Sequence, residues 1–117
     1  MGRLTTHVLD LAGGLPAAGM TVEVAAIEGG ERRPLLKTAT NRDGRCEGAL
    51  LEGASFGAGL WQLEFHVARY YRDRGVALPD PPFLDVVTIR FGVADAGAHY
   101  HVPLLVTPWS YSTYRGS

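Results

Sequence analysis

The sequence predicts an all-β sandwich or barrel. Short runs rich in β-branched and aromatic residues recur along its 117 residues, and clusters of Gly, Pro, Asn and Asp separate them. Within the clearest runs, apolar and polar residues alternate with a period of two, the signature of a half-buried strand.

The first run, LTTHVLD, sends Leu4, Thr6 and Val8 to one face and Thr5, His7 and Leu9 to the other. AGGLPAAG breaks it. MTVEVAAI follows, with Met20, Val22, Val24 and Ala26 opposite Thr21 and Glu23. EGGERRP reads as a turn and LLKTATN as a third strand, closed by NRDGR, where Asp43-Gly44 suits a tight turn. A short strand is expected near 49–51, then the loop EGASFGAG. LWQLEFHV is the most regular strand: Trp61, Leu63, Phe65 and Val67 face the core, Gln62, Glu64 and His66 face out. ARYYRDRG changes period and ends in Gly75, which predicts one or two helical turns capped by glycine. VALPDPPF is too rich in proline to be regular. VVTIRFGV, AHYHVPLLVT and SYSTYR complete the set, giving seven or eight strands and one short helix.

The bulk numbers bound the function. The length fits one domain, 1–117, which buries about two-thirds of the surface its unfolded chain exposes. Eleven basic and twelve acidic residues leave a net charge of -1, against a nucleic-acid or anionic-membrane surface. One cysteine, Cys46, cannot form an internal disulfide, so a reducing, cytoplasmic setting is expected. The first residues carry no apolar signal region, and no run approaches the ~20 apolar residues of a membrane span.

Chemistry concentrates on one face. In HYHVPLLV, Tyr100, Val102, Leu104 and Val106 form the apolar set, which places His99, His101, Pro103 and Leu105 opposite. His7 likewise lies opposite the core set of its strand. A solvent face would be richer in Lys and Glu, so a half-apolar face bearing histidine points to a cleft or to a surface covered by another subunit. His99 and His101 could ligate zinc together, but no third ligand stands at a tight spacing, and neither a metal nor a cofactor is expected. No G-x-S-x-G elbow or Gly-rich phosphate loop is present. Composition and alternation lead to an oligomeric β-sandwich with a His-bearing apolar face, and no further.

LTTHVLD, GLPAAG, TNRDGRC and the terminal HYHVPLL…P.SYSTYRGS together resemble the transthyretin-related 5-hydroxyisourate hydrolases, in the right order from Leu4 to Ser117. The most specific piece is the terminal YRGS, which distinguishes these hydrolases from the thyroid-hormone carrier transthyretin. The resemblance implies a transthyretin-like (prealbumin-like) eight-stranded sandwich with one short helix. It also implies a homotetramer, a dimer of dimers, with the sites in a channel between the dimers. The implied catalytic set is His7, Arg45, His101 and Ser117, with Tyr114 and Arg115 joining His7, Arg45 and His101 in binding the substrate. His99 shares the face of His101 but has no counterpart in that set. Alternation along the last strand turns Ser112 and Tyr114 towards the channel and Tyr111 and Thr113 towards the core; Gly116 gives the backbone freedom to bend Ser117 inwards. The implied reaction is metal-independent hydrolysis of 5-hydroxyisourate to 2-oxo-4-hydroxy-4-carboxy-5-ureidoimidazoline, in urate degradation. The proline-rich stretch before Val86 and TPW near the end depart from the family pattern without touching the implied site. A carrier of hydrophobic ligands and a metal-bound or purely structural module are the alternatives. His101 and YRGS weigh against a carrier, because they put polar groups where an apolar ligand would lie.

Overall fold

Alternation sorts the side chains into two layers. In the computed structural model, which describes residues 2–116, strand β1 (Arg3–Asp10) buries Leu4, Thr6, Val8 and Asp10 and leaves Thr5, His7 and Leu9 half-buried on its other face. β2 (Leu15–Pro16), β3 (Thr21–Glu28), β4 (Glu31–Ala39), β5 (Leu51–Glu52), β6 (Gly59–His66), helix α1 (Val67–Asp73), β7 (Val86–Val93), β8 (His99–Val106) and β9 (Tyr111–Thr113) follow. One sheet runs β2-β1-β8-β9, with β5 also paired to β1; the other runs β4-β3-β6-β7. Leu4, Val8, Val22, Val24, Leu63, Phe65, Val102 and Leu104 are among the residues filling the space between them. No helix of the described residues is long and apolar enough to cross a membrane.

The sandwich and its single helix are as expected; the details differ in instructive ways. Nine strands form among the described residues rather than seven or eight: the short strand expected near 49–51 is β5, and the two-residue β2, inside the expected break AGGLPAAG, also docks on β1. The stretch from Glu31 to Pro34, expected as part of a turn, is strand. The hairpin turns on Gly29 and Gly30 alone, at φ +59 and +82, the two positive values a tight hairpin turn of matching twist requires. Nothing in the apolar pattern marks the start of β4, because it is an edge strand with almost every residue exposed. Its Pro34 is tolerated there, beside a register shift at Val24/Ala25. The helix begins one residue earlier than expected and ends in a glycine cap: Gly75, at φ +81, donates to Arg72 O and Val76 donates to Tyr71 O. β9 is shorter than the run 110–115.

Asp10 joins the helix to the first strand. It is 2% exposed, and its carboxylate accepts hydrogen bonds from Gly13 N–H at 2.8 Å, Tyr70 OH at 2.9 Å and Tyr71 OH at 2.7 Å. Burial pushes the carboxyl up, but these bonds outweigh burial and hold it below its ordinary value. Asp10→Asn should cost about 1–3 kcal/mol at neutral pH. A carboxyl held low in the folded state stabilises it above the unfolded value, about 4. That contribution is lost as the pH falls through the folded value. The gap in Tm between wild type and Asp10→Asn is therefore wide at pH 7 and closes as the pH falls below about 4. An unchanged gap under acid conditions would contradict this role for Asp10.

Candidate active site

β1 and β8 run parallel, in register from Arg3↔His99 to Asp10↔Val106. Parallel partners share a face, so Arg3, Thr5, His7 and Leu9 stand beside His99, His101, Pro103 and Leu105. This outer face is the floor of a cleft of about 470 Å³, walled by Arg3, Thr5, Arg45, Cys46, His99 and His101. Its open edge of β1 is covered in three places: β5 at Arg3–Leu4, an isolated bridge from His7 to Arg45, and β2 at Leu9–Asp10.

Arg45 arrives through the turn at Asn41–Arg45. Asn41 Oδ1 accepts the N–H groups of Asp43 and Arg45, Gly44 N–H donates to Asn41 O, and Asn41 N–H donates to Arg45 O at 2.7 Å. Gly44 has no substitute: its φ is +76, and a Cβ would lie 2.3 Å from Val8 O, the carbonyl the turn packs against. His7 Nε2 donates to Asp43 O at 2.9 Å, so one histidine of the site holds the turn that carries the arginine.

His101 is the best-supported ring. Its Nδ1 lies 2.8 Å from Thr5 Oγ1, and the same hydroxyl lies 2.7 Å from His99 Nε2. Burial, then the charges of Arg45, His99 and His7, lower the His101 pKa below its ordinary value. The ring is therefore neutral at neutral pH and able to accept a proton. Among the described residues no carboxylate pairs with Arg3 or Arg45, so both guanidiniums are available to an anionic or oxygen-rich ligand. Burial raises the Cys46 thiol, against a thiolate role. No group of three His, Cys, Asp or Glu side chains able to hold a metal occurs among the described residues.

The chain end meets the same ring. Gly116 N–H donates to His101 O at 2.7 Å in an isolated bridge. A Cβ on Gly116 would lie 2.6 Å from His101 Cδ2. Close approach to the histidine, not a left-handed backbone, is what demands glycine here. Ser117 lies outside the described residues. The faces of β9 follow alternation: Ser112 pairs with Leu105 on the cleft face, while Thr113 and Tyr111 pair with Leu104 and Val106. β9 then stops, and alternation no longer governs. Tyr114 and Arg115 line a second cavity of about 260 Å³ with Ile89, Tyr100 and Val102. Arg115 stacks 4.1 Å above the Tyr100 ring and donates to His99 O.

Thus the fold brings His7, Arg45 and His101 together and puts Tyr114 and Arg115 across β8 from them. Arg3 and Thr5 join the site without having been singled out, and so does His99, which alternation put on the face of His101 but outside the expected catalytic set. Extending the alternation of β1 by one pleat on either side of Thr5 would have flagged Arg3 with His7; the pairing of Thr5 with His101 needs the parallel register.

The chain matches the model of the HIUase/transthyretin family over residues 4–116. It is 63% identical over 117 residues to a 5-hydroxyisourate hydrolase of Ralstonia nicotianae, covering 100% of both chains. Among solved structures, it superposes on an (S)-allantoin synthase with TM-score 0.94 and 42% identity, covering 99% of this chain but spanning only 44% of that one. It superposes on the Klebsiella pneumoniae 5-hydroxyisourate hydrolase with TM-score 0.82 and 32% identity, covering 100% of both. With the fold, the cleft and a full-length match in agreement, the chain belongs to the HIUase/transthyretin family.

Proposed function

We propose that this chain is a 5-hydroxyisourate hydrolase acting as a single domain in the cytoplasm, where its free Cys46 stays reduced. One observation carries the reading. A histidine kept neutral by burial and neighbouring charge stands in a cleft beside an arginine that pairs with no carboxylate among the described residues, which is what adding water to a ring amide needs.

His101 takes a proton from the attacking water as oxygen bonds to the ring carbonyl. The carbonyl oxygen then gains negative charge, which Arg45 neutralises with fixed donors, with Arg3 nearby. The ring C–N bond breaks, and the departing nitrogen takes the proton that His101 accepted from the water. His7, whose Nε2–H is committed to Asp43 O, keeps a lone pair on Nδ1 of its neutral ring with which to orient the water. Ser117, the remaining member of the proposed catalytic set, lies outside the described residues. In the single chain Tyr114 and Arg115 act from the far side of β8, through the carbonyl of His99 and the ring of Tyr100.

The cleft face also carries Leu9 and Leu105, and exposed Leu11, Leu15 and Trp109 adjoin the same sheet. We assign this surface to a second pair of subunits in a homotetramer, which would complete the channel wall. Sedimentation should show a tetramer at micromolar concentration; a monomer with full activity would contradict it.

The activity is tested by following 5-hydroxyisourate, generated in situ by urate oxidase, in the ultraviolet. Decay should accelerate with or without a chelator, and His101→Asn and His7→Asn should each lower kcat by roughly 10²–10⁴. No acceleration by the wild type would favour a carrier; loss with the chelator would favour a metal site.

Electrostatics supply a second check. By NMR, His101 should titrate below the ordinary histidine value of about 6.5. Arg45→Gln should raise that midpoint only in part, because burial is the larger cause. An unmoved midpoint would remove Arg45 from the neighbourhood of the ring.

A further inference from the structure

One hydroxyl bridges two histidines. Thr5 Oγ1 lies 2.8 Å from Nδ1 of His101 and 2.7 Å from Nε2 of His99, yet a threonine hydroxyl has a single proton to give. It therefore donates to at most one ring and accepts from at least one, and whether it donates to His101 decides whether Nδ1 of His101 carries a proton. If Thr5 donates to His99, it accepts from Nδ1–H of His101, and Nε2 of His101 keeps its lone pair. If Thr5 donates to His101, Nε2 of His101 carries the proton and cannot act as a base.

Three features favour the first arrangement. Nε2 of His101 makes no hydrogen bond among the described residues. The charged groups around the ring are basic: Arg3, Thr5's neighbour His7, and His99 from β1 and β8, and Arg45 from the turn, with Cys46 kept as a thiol. Positive charge lining the same cleft favours a lone pair on Nε2 over another N–H. His99 is exposed, so its Nδ1–H can be satisfied by water while its Nε2 accepts from Thr5.

We propose that Thr5 and His99 are positioning residues that hold His101 with its proton on Nδ1, so that Nε2 is the base of the site. The catalytic meaning of this relay rests on the hydrolase reading above; the tautomer itself does not. The order of the chain explains why both are needed: Thr5 supplies the acceptor, and His99 gives the Thr5 proton a place to go other than His101.

The test is ¹⁵N NMR of histidine-labelled protein above the His101 midpoint, with kinetics on the same samples and melts to check folding. Wild-type His101 should be protonated on Nδ1. Thr5→Val, which keeps the shape and removes the hydroxyl, should shift His101 towards Nε2–H. It should lower kcat about 10–100-fold, as loss of an orienting partner does, with KM changed less than about threefold. Thr5→Ser should restore both tautomer and rate. His99→Phe, which leaves Thr5 in place, should give the same shift in weaker form, and His99→Gln should reverse it by returning an acceptor. A wild-type His101 protonated on Nε2, or a tautomer unmoved in both Thr5→Val and His99→Phe, would overturn the proposal. So would a shifted tautomer with unchanged kcat. A wild type with the Nδ1–H tautomer and no hydrolase activity would instead overturn the functional reading, and with it the catalytic role of the relay.

Discussion

The parallel pairing of β1 with β8 is the constraint on which the site depends. These strands come from opposite ends of the chain, and eight residue pairs lock them in register. The pairing puts the Thr5 hydroxyl beside the His101 ring and sets His7 one pleat further on. It also leaves the far edge of β1 to be shared by β5, the Arg45 turn and β2. A slip of one residue would turn Thr5 and His7 into the core and bring Leu4 and Val8 to the cleft, so the buried face enforces the register that the site needs. Chemistry and stability are served by opposite faces of the same two strands.

Charge is arranged to match. Two guanidiniums and two histidines line the cleft, with His7 bridged to Arg45 beside it, and no carboxylate among the described residues pairs with either guanidinium. On the outer face of the other sheet, by contrast, Arg32 bridges Glu23 and Glu64, and His66 pairs with Glu23. Both faces carry Arg and His. At the cleft, burial first and then the charges of Arg45, His99 and His7 lower the pKa of His101. Exposed ion pairs of the second kind contribute little to stability; their value here is to keep an open sheet face soluble beside the edge strand β4.

Much of this was legible in the sequence because period two is a strong signal. It placed His7 and His101 away from the core, and Asp43-Gly44 announced the turn that delivers Arg45. What it could not supply was pairing. Nothing local says that β1 lies beside β8 and parallel to it, so the contact of Thr5 with His101 and His99 was out of reach. β4 was misjudged at its start because an exposed edge strand has no apolar rhythm to read. Gly116 was assigned the right importance for the wrong reason: the need is for room beside the His101 ring. Tyr114 escaped the rule because β9 ends at Thr113.

The central claim is that one cleft, floored by β1 and β8, binds the ring that is opened. A crystal structure with a stable, non-hydrolysable analogue of 5-hydroxyisourate tests it most directly. The account predicts the analogue in the cleft, with a ring oxygen on the Arg45 guanidinium and the scissile carbonyl, or a water beside it, within about 3 Å of Nε2 of His101. An analogue seated instead in the second cavity, against Ile89, Tyr100 and Tyr114, with the His101 side empty, would contradict it.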